Sequence, residues 1–117
     1  MPDKRILIVI RHAPHGTSWA REGLETALVG AALGQEVALL FTGDGVLSLL
    51  VGQQAGALGQ KGTAPMIDVL PMYDIEQLWV DETALSTRGL AAEALMVPVA
   101  FADPARLIAE YDIVLSF

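Results

Sequence analysis

Arg5-Ile-Leu-Ile-Val-Ile10 is aliphatic at every position after the arginine and shows no alternation of polar and apolar residues. A strand with one face in water alternates. An unbroken apolar run of this length suits a strand buried on both faces, the environment of a parallel sheet with helices on either side. The same signature returns in Glu36-Val-Ala-Leu-Leu-Phe41, in Gln77-Leu-Trp-Val80 and, near the end, in Tyr111-Asp-Ile-Val-Leu-Ser-Phe117. Val97-Pro-Val-Ala-Phe101 is a candidate fourth strand in which Pro98 must take the first or an edge position, because it has no N–H to donate.

Between these runs the spacing becomes helical. After Ala13-Pro-His-Gly-Thr-Ser18, Thr17 or Ser18 is placed to cap a helix. Leu24, Ala27, Leu28 and Ala31 recur at three- and four-residue intervals, and Gly34 supplies a C-terminal stop. Thr42-Gly-Asp-Gly45 has the composition of a turn, followed by a helical stretch from about Val46 to Gln54. Gln53 to Thr63, rich in Gly, Gln and Ala, is expected to be a loop or a frayed helix end. Met66, Ile67 and Leu70 favour a short helix between Ala64 and Met72. Asp81-Glu82-Thr83 opens a helix closing near Arg88-Gly89, and Asp103-Pro104 is an N-cap with proline at the first helical position. Strands alternating with helices predict one α/β domain over residues 1–117, with a mostly parallel five-stranded sheet and helices on both faces.

In such sheets ligands and partners meet the loops at the carboxyl ends of the strands. Here those are Arg11–Gly16, Thr42–Gly45, Val80-Asp81, Ala102-Asp103 and the C-terminal segment. In the first, Arg11-His12 superficially resembles the Arg-His-Gly signature of histidine phosphatases and phosphoglycerate mutases. Ala13 stands where that signature has glycine, and the second histidine those enzymes draw from far along the chain is missing. The sequence has only His12 and His15, three residues apart on one loop, where they cannot oppose each other across a phosphoryl group. His12 reads as a strand-end imidazole bonded to backbone. His15, between Pro14 and Gly16, either contacts an anion or partner or sits in a turn shaped by its neighbours.

Asp44 is flanked by Gly43 and Gly45, and reads as a turn former or a polar contact to a neighbouring subunit. Asp81 is most simply a helix N-cap that also complements the helix dipole. Tyr73-Asp74 reads as core or interface rather than chemistry. Two histidines and scattered carboxylates give no metal-ligand spacing, and neither metal nor cofactor is expected.

Composition narrows the function further. None of the 117 residues is cysteine, which removes disulfides, thiolate metal sites and cysteine nucleophiles together. The net charge is −7 and polarised: Lys4, Arg5, Arg11 and Arg21 supply four of the seven cations, while twelve of the fourteen acids fall from Glu25 onward. Binding a phosphate backbone needs clustered Lys and Arg, so direct nucleic-acid binding by this chain alone is not expected. Hydrophobic residues make up 53 % and mean hydropathy is +0.48, high for 12.4 kDa. No run reaches the roughly 18 apolar residues of a spanning helix, and no signal-peptide pattern opens the sequence, so a cytoplasmic setting is expected. A folded monomer of this mass exposes roughly 6,100 Å². Two standard interfaces of about 800 Å² each would hide a quarter of it. The apolar excess therefore predicts an obligate oligomer.

Four segments taken in order carry a resemblance. They are Ala13-Pro-His-Gly-Thr17 running into Arg21-Glu-Gly-Leu24, then "FTGDGVLSLLVGQ", then Tyr73-Asp-Ile-Glu-Gln77 with the strand and helix start after it, and finally "YDIVLSF". Together they resemble the TusC/DsrF subunits of the TusBCD and DsrEFH sulfur-relay complexes, over nearly the whole chain. His12 falls outside this pattern. The resemblance implies a DsrE-like domain and a heterohexamer built from two copies each of three related subunits. The partners would be a TusB/DsrH-like and a TusD/DsrE-like chain.

In those complexes sulfur travels as a cysteine persulfide on the TusD/DsrE subunit, near the end of the strand matching Gln77–Val80. Here that position reads Val80-Asp81. The resemblance thus implies a non-catalytic subunit, not an enzyme, that supports persulfide transfer for 2-thiouridine formation at the tRNA wobble position. A DsrEFH-type role in dissimilatory sulfur oxidation is the near alternative. A stand-alone flavodoxin-like ligand binder or hydrolase using His15 and Asp44 is the distant one. The residues expected at an interface or pocket are Pro14, His15, Gly16, Asp44, Gly45, Tyr73, Asp74 and Asp81.

Overall fold

The computed structural model describes residues 4–50 and 63–117. Five strands, β1 (Arg5–Ile10), β2 (Glu36–Phe41), β3 (Leu78–Val80), β4 (Ala100–Phe101) and β5 (Ile113–Ser116), form one sheet in the order β4-β3-β2-β1-β5. Every neighbouring pair is parallel, so the sheet is wholly rather than mostly parallel. In the central pair Arg5 lies opposite Glu36 and Ile10 opposite Phe41, and β5 joins on the other side of β1 with Ile6 opposite Ile113.

This order fixes where the helices go. From β1 to β4 the chain steps one strand at a time in a single direction, so right-handed crossovers put α1 (Trp19–Ala32), α2 (Ala64–Asp68) and α3 (Glu82–Thr87) on one face. The return from β4 to β5 runs the opposite way and carries α4 (Pro104–Ala109) over the other face. The core divides accordingly. Ile8, Ile10, Leu39 and Phe41 pack with Leu24 and Ala27 of α1, whereas the alternate residues Leu7, Val9, Ala38 and Leu40 pack with Leu107 of α4. The two-sided burial expected of the RILIVI run is thus present, residue by residue.

Several ends form as the sequence predicts. Past α1 the Gly34 N–H donates to the Ala31 carbonyl and the Gln35 N–H to the Gly30 carbonyl, both at 3.0 Å, with Gly34 at φ +86°. This is a Schellman closure, which needs the left-handed conformation that glycine adopts without penalty. Asp103 caps α4 through the Ala105 N–H at 3.3 Å, with Pro104 at the first position. The short helix expected between Ala64 and Met72 is α2, followed by a 3₁₀ turn over Leu70–Tyr73; Ile67 and Leu70 are buried.

Other details depart from expectation. Ser18 occupies the cap position of α1, but its backbone (φ −94°, ψ 1°) lies outside the extended region a capping side chain requires. Its hydroxyl donates to Glu22 Oε2 at 2.9 Å instead. The helical stretch expected at Val46–Gln54 is a 3₁₀ helix over Gly43–Leu49, after which Leu50 bridges antiparallel to Leu95. The rest of that stretch, and all of Gln53–Thr63 but Thr63, lies outside the described residues. β3 starts at Leu78 rather than Gln77, and β4 keeps only two of the five residues expected, since the ladder begins two places after Pro98.

Candidate functional site

The parallel ladder continues one residue beyond each strand. Arg11 N–H donates to the Phe117 carbonyl (2.8 Å), Thr42 N–H to Ile10 (3.0 Å), Asp81 N–H to Phe41 (3.0 Å) and Ala102 N–H to Val80 (3.1 Å). Arg11, Thr42, Asp81 and Ala102 thereby form one row along the carboxyl edge of the sheet, where the β1–α1 loop also lies.

Asp81 sits at the middle of this row. Its Oδ1 accepts the Thr83 N–H at 3.1 Å, capping α3, and its Oδ2 accepts the Thr42 hydroxyl at 2.9 Å. One carboxylate thus ties the ends of β2 and β3 to the start of α3. The cap was legible in the sequence, but the Thr42 contact was not. The signal lies in the register, which sets Phe41 opposite Val80 and so the next residues of both strands side by side.

Asp44 accepts from Arg88 Nε at 3.1 Å and Nη2 at 2.7 Å, while Arg88 Nη1 donates to the Ala84 carbonyl at 3.0 Å. The arginine at the end of α3 therefore holds the β2 turn, a partnership across 44 residues that sequence spacing does not reveal. Gly45 is buried, and a Cβ there would fall on the Ile10 carbonyl. The TGDG turn can pass beneath the end of β1 only because this residue has no side chain.

In the β1–α1 loop Pro14 is buried, and His12 and His15 are half-buried. Gly16 takes φ +92°. His12 stacks on the Trp19 indole with ring centroids 5.6 Å apart and planes 21° apart. Nδ1 of both histidines is shielded and makes no hydrogen bond. The backbone bond expected of His12 is therefore not made through Nδ1; its packing surface is the exposed indole.

Tyr73 and Asp74 lie elsewhere. They precede β3, whereas Asp81 follows it, so they belong to the amino edge of the sheet. Tyr73 is exposed, and Asp74 takes the left-handed conformation at φ 63°. Asp74 lines a groove with Arg5, Glu36, Glu76, Trp79 and Tyr111. There Arg5 Nε donates to Glu36 Oε2 at 2.9 Å and its guanidinium lies 4.5 Å from the centre of the Tyr111 ring. The hydrogen bond to Glu36 raises the Arg5 pKa above its ordinary value. The eight candidate residues thus divide between opposite edges, with Pro14, His15, Gly16, Asp44, Gly45 and Asp81 on the carboxyl side.

The chemistry open to that edge is limited. A cleft of about 350 Å³ between the starts of α3 and α4 is lined by Asp81, Glu82, Thr83, Phe101, Ala102, Asp103 and Pro104. It contains three acids and no cation, and two of the acids are spent as helix caps. His15 and Asp44 form no dyad, since Asp44 is held by Arg88 and His15 Nδ1 is unpartnered. Among the described residues no group of three or more His, Cys, Asp or Glu side chains could hold a metal ion.

Comparison with known proteins agrees with this architecture. The model of the DsrE/DsrF-like family matches residues 4–117. Protein TusC of Shigella flexneri is 39 % identical over 118 residues, covering 97 % of this chain and 99 % of that one. The TusC homolog of Vibrio vulnificus strain CMCP6 is 38 % identical over 103 residues, covering 88 % and 87 %. Among solved structures, the ychN protein from E. coli superposes with a TM-score of 0.83 over 97 % of this chain and 99 % of that chain, at 23 % identity.

Proposed function

The chain belongs to the DsrE/DsrF-like family and, within it, to the TusC group, and we propose that it is the non-catalytic subunit of a sulfur-relay complex. Its partners in this reading are a TusB/DsrH-like and a TusD/DsrE-like chain, two copies of each, working in the cytoplasm. Sulfur rides on a cysteine of the TusD-type partner. This chain shapes and holds the complex, and the product is 2-thiouridine at the tRNA wobble position.

One observation carries the reading. Near the end of β3, where the resemblance puts a carrier thiol, this chain has Val80 and Asp81, and the two oxygens of Asp81 are engaged by Thr42 and by the α3 N-terminus. With no cysteine in the sequence, no persulfide can form on this chain. Asp81 holds the fold together instead. The likeness to proteins named TusC supports the tRNA branch over the sulfur-oxidation branch.

The test is genetic and chemical. Deleting the gene lowers wobble 2-thiouridine, measured by nucleoside mass spectrometry, and the wild-type chain restores it. His15→Ala, which would abolish the activity of a hydrolase, restores thiolation at least partly. Unchanged thiouridine with impaired sulfur oxidation would assign the chain to a DsrEFH-type complex.

A further inference from the structure

The strand order leaves one gap in the helical layer. On the α1 face the crossovers leaving β1, β2 and β3 cover four strands. β5 is reached from the other face by α4, so among the described residues no helix lies over it on the α1 side. The register identifies the side chains left bare. Ile113 lies opposite Ile6 and Leu115 opposite Ile8, on the α1 face, and they are 36 % and 41 % exposed; Val114 points the other way and packs with Leu7 and Leu107.

Beside this floor the outer flank of α1 forms a wall. Glu22, Glu25, Thr26 and Val29 together with Phe117 line a groove of about 400 Å³. Val29 is 59 % exposed, and Leu33, one turn further, 74 %. The groove has an apolar base, two carboxylates on its rim and no cation among its lining residues; the neighbouring Arg21 is already paired with Glu25 at 2.9 Å.

We propose that this step between α1 and β5 receives an amphipathic helix of a partner subunit, with Lys or Arg on the flank that meets Glu22, the rim carboxylate that among the described residues accepts a hydroxyl but is paired with no cation. A helix is the required shape. Adding a strand to the β5 edge would satisfy backbone groups but leave Ile113 and Leu115 in water, since they stand on the face of the sheet. Four strand residues span roughly 13 Å, so a helix of about nine residues covers the floor. A second copy of this chain is a poor occupant. Among the described residues α1 is its one helix long enough to cover the floor, since α4, with Arg106 and the exposed Ile108, has only six residues; α1 carries Glu22 and Glu25 on a chain of net charge −7, so like charges would meet at the rim. The inference rests on the relay reading for the partner's identity and adds the surface at which that partner binds.

The experiment co-expresses this chain with the TusB-type and TusD-type chains of its host and compares wild type, Leu115→Lys, the double charge reversal Glu22→Lys/Glu25→Lys, and Met72→Lys by native mass spectrometry. Met72 is an exposed control on the turn before β3. Leu115→Lys and the charge reversal are expected to lower assembly at least tenfold, with Met72→Lys near wild type. Photo-crosslinking from position 115 should mark a basic helix of one partner. Assembly of wild type and Leu115→Lys alike would overturn the docking surface while leaving the relay reading intact. A homodimer dissolved by Leu115→Lys would overturn the choice of occupant. Wild-type chain that stays alone beside both partners sinks the relay reading, and the docking surface with it.

Discussion

Thr42 Oγ1 donates to Asp81 Oδ2 at 2.9 Å, joining the first residue after β2 to the first residue after β3. The contact follows from the parallel register, which brings both residues into one row. It explains why an acid stands at this point of the fold. The carboxylate is used twice, once by a hydroxyl and once by a helix N-terminus.

Asp81→Ala should therefore lower stability more than an ordinary cap deletion, by about 2 kcal/mol. Thr42→Val removes one of the two bonds and should cost about 1 kcal/mol. Because the residues share an interaction, the double variant should lose less than the sum. Urea titration measures all three; strict additivity would mean that the bond contributes nothing.

Gly45→Ala should be severe, because the new Cβ meets the Ile10 carbonyl rather than a yielding side chain. Overpacking of this kind costs about 3 kcal/mol. Gly34→Ala faces open space and only a left-handed backbone, so its cost is about 1 kcal/mol. Thermal denaturation should rank the two in this order, and equal melting temperatures would contradict the close approach of the TGDG turn to β1.

The Asp44–Arg88 pair is partly exposed, with side-chain accessibilities of 61 % and 27 %. Arg88→Gln should destabilise by only about 0.5 kcal/mol at low salt. High salt should shrink the difference. A salt-independent loss would point instead to the packing of the arginine stem against α3.

How much of this was legible beforehand follows from the range of the interactions. The RILIVI run announced a strand buried on both faces because its hydrophobicity is local and continuous. Gly34 and Asp103-Pro104 announced helix ends because capping acts within a few residues. Thr42–Asp81 and Asp44–Arg88 span 39 and 44 residues, and only the register and the crossover geometry create them. The composition after Phe41 predicts a turn and then a helical stretch. The chain winds as 3₁₀ from Gly43 under the end of β1, a close approach not visible in the composition of the turn. Tyr73 and Asp74 fall near the other candidates in a linear reading, yet β3 runs between them and Asp81 and carries them to the opposite edge.

The proposed function makes this chain one subunit among different partners. Native mass spectrometry of the tagged chain, purified from its own host, tests it most directly. The predicted result is a complex with two copies each of three chains of similar size, with persulfide sulfur mapped to a partner's cysteine. A lone monomer or simple homodimer, unaccompanied even when the candidate partners are expressed, would contradict it.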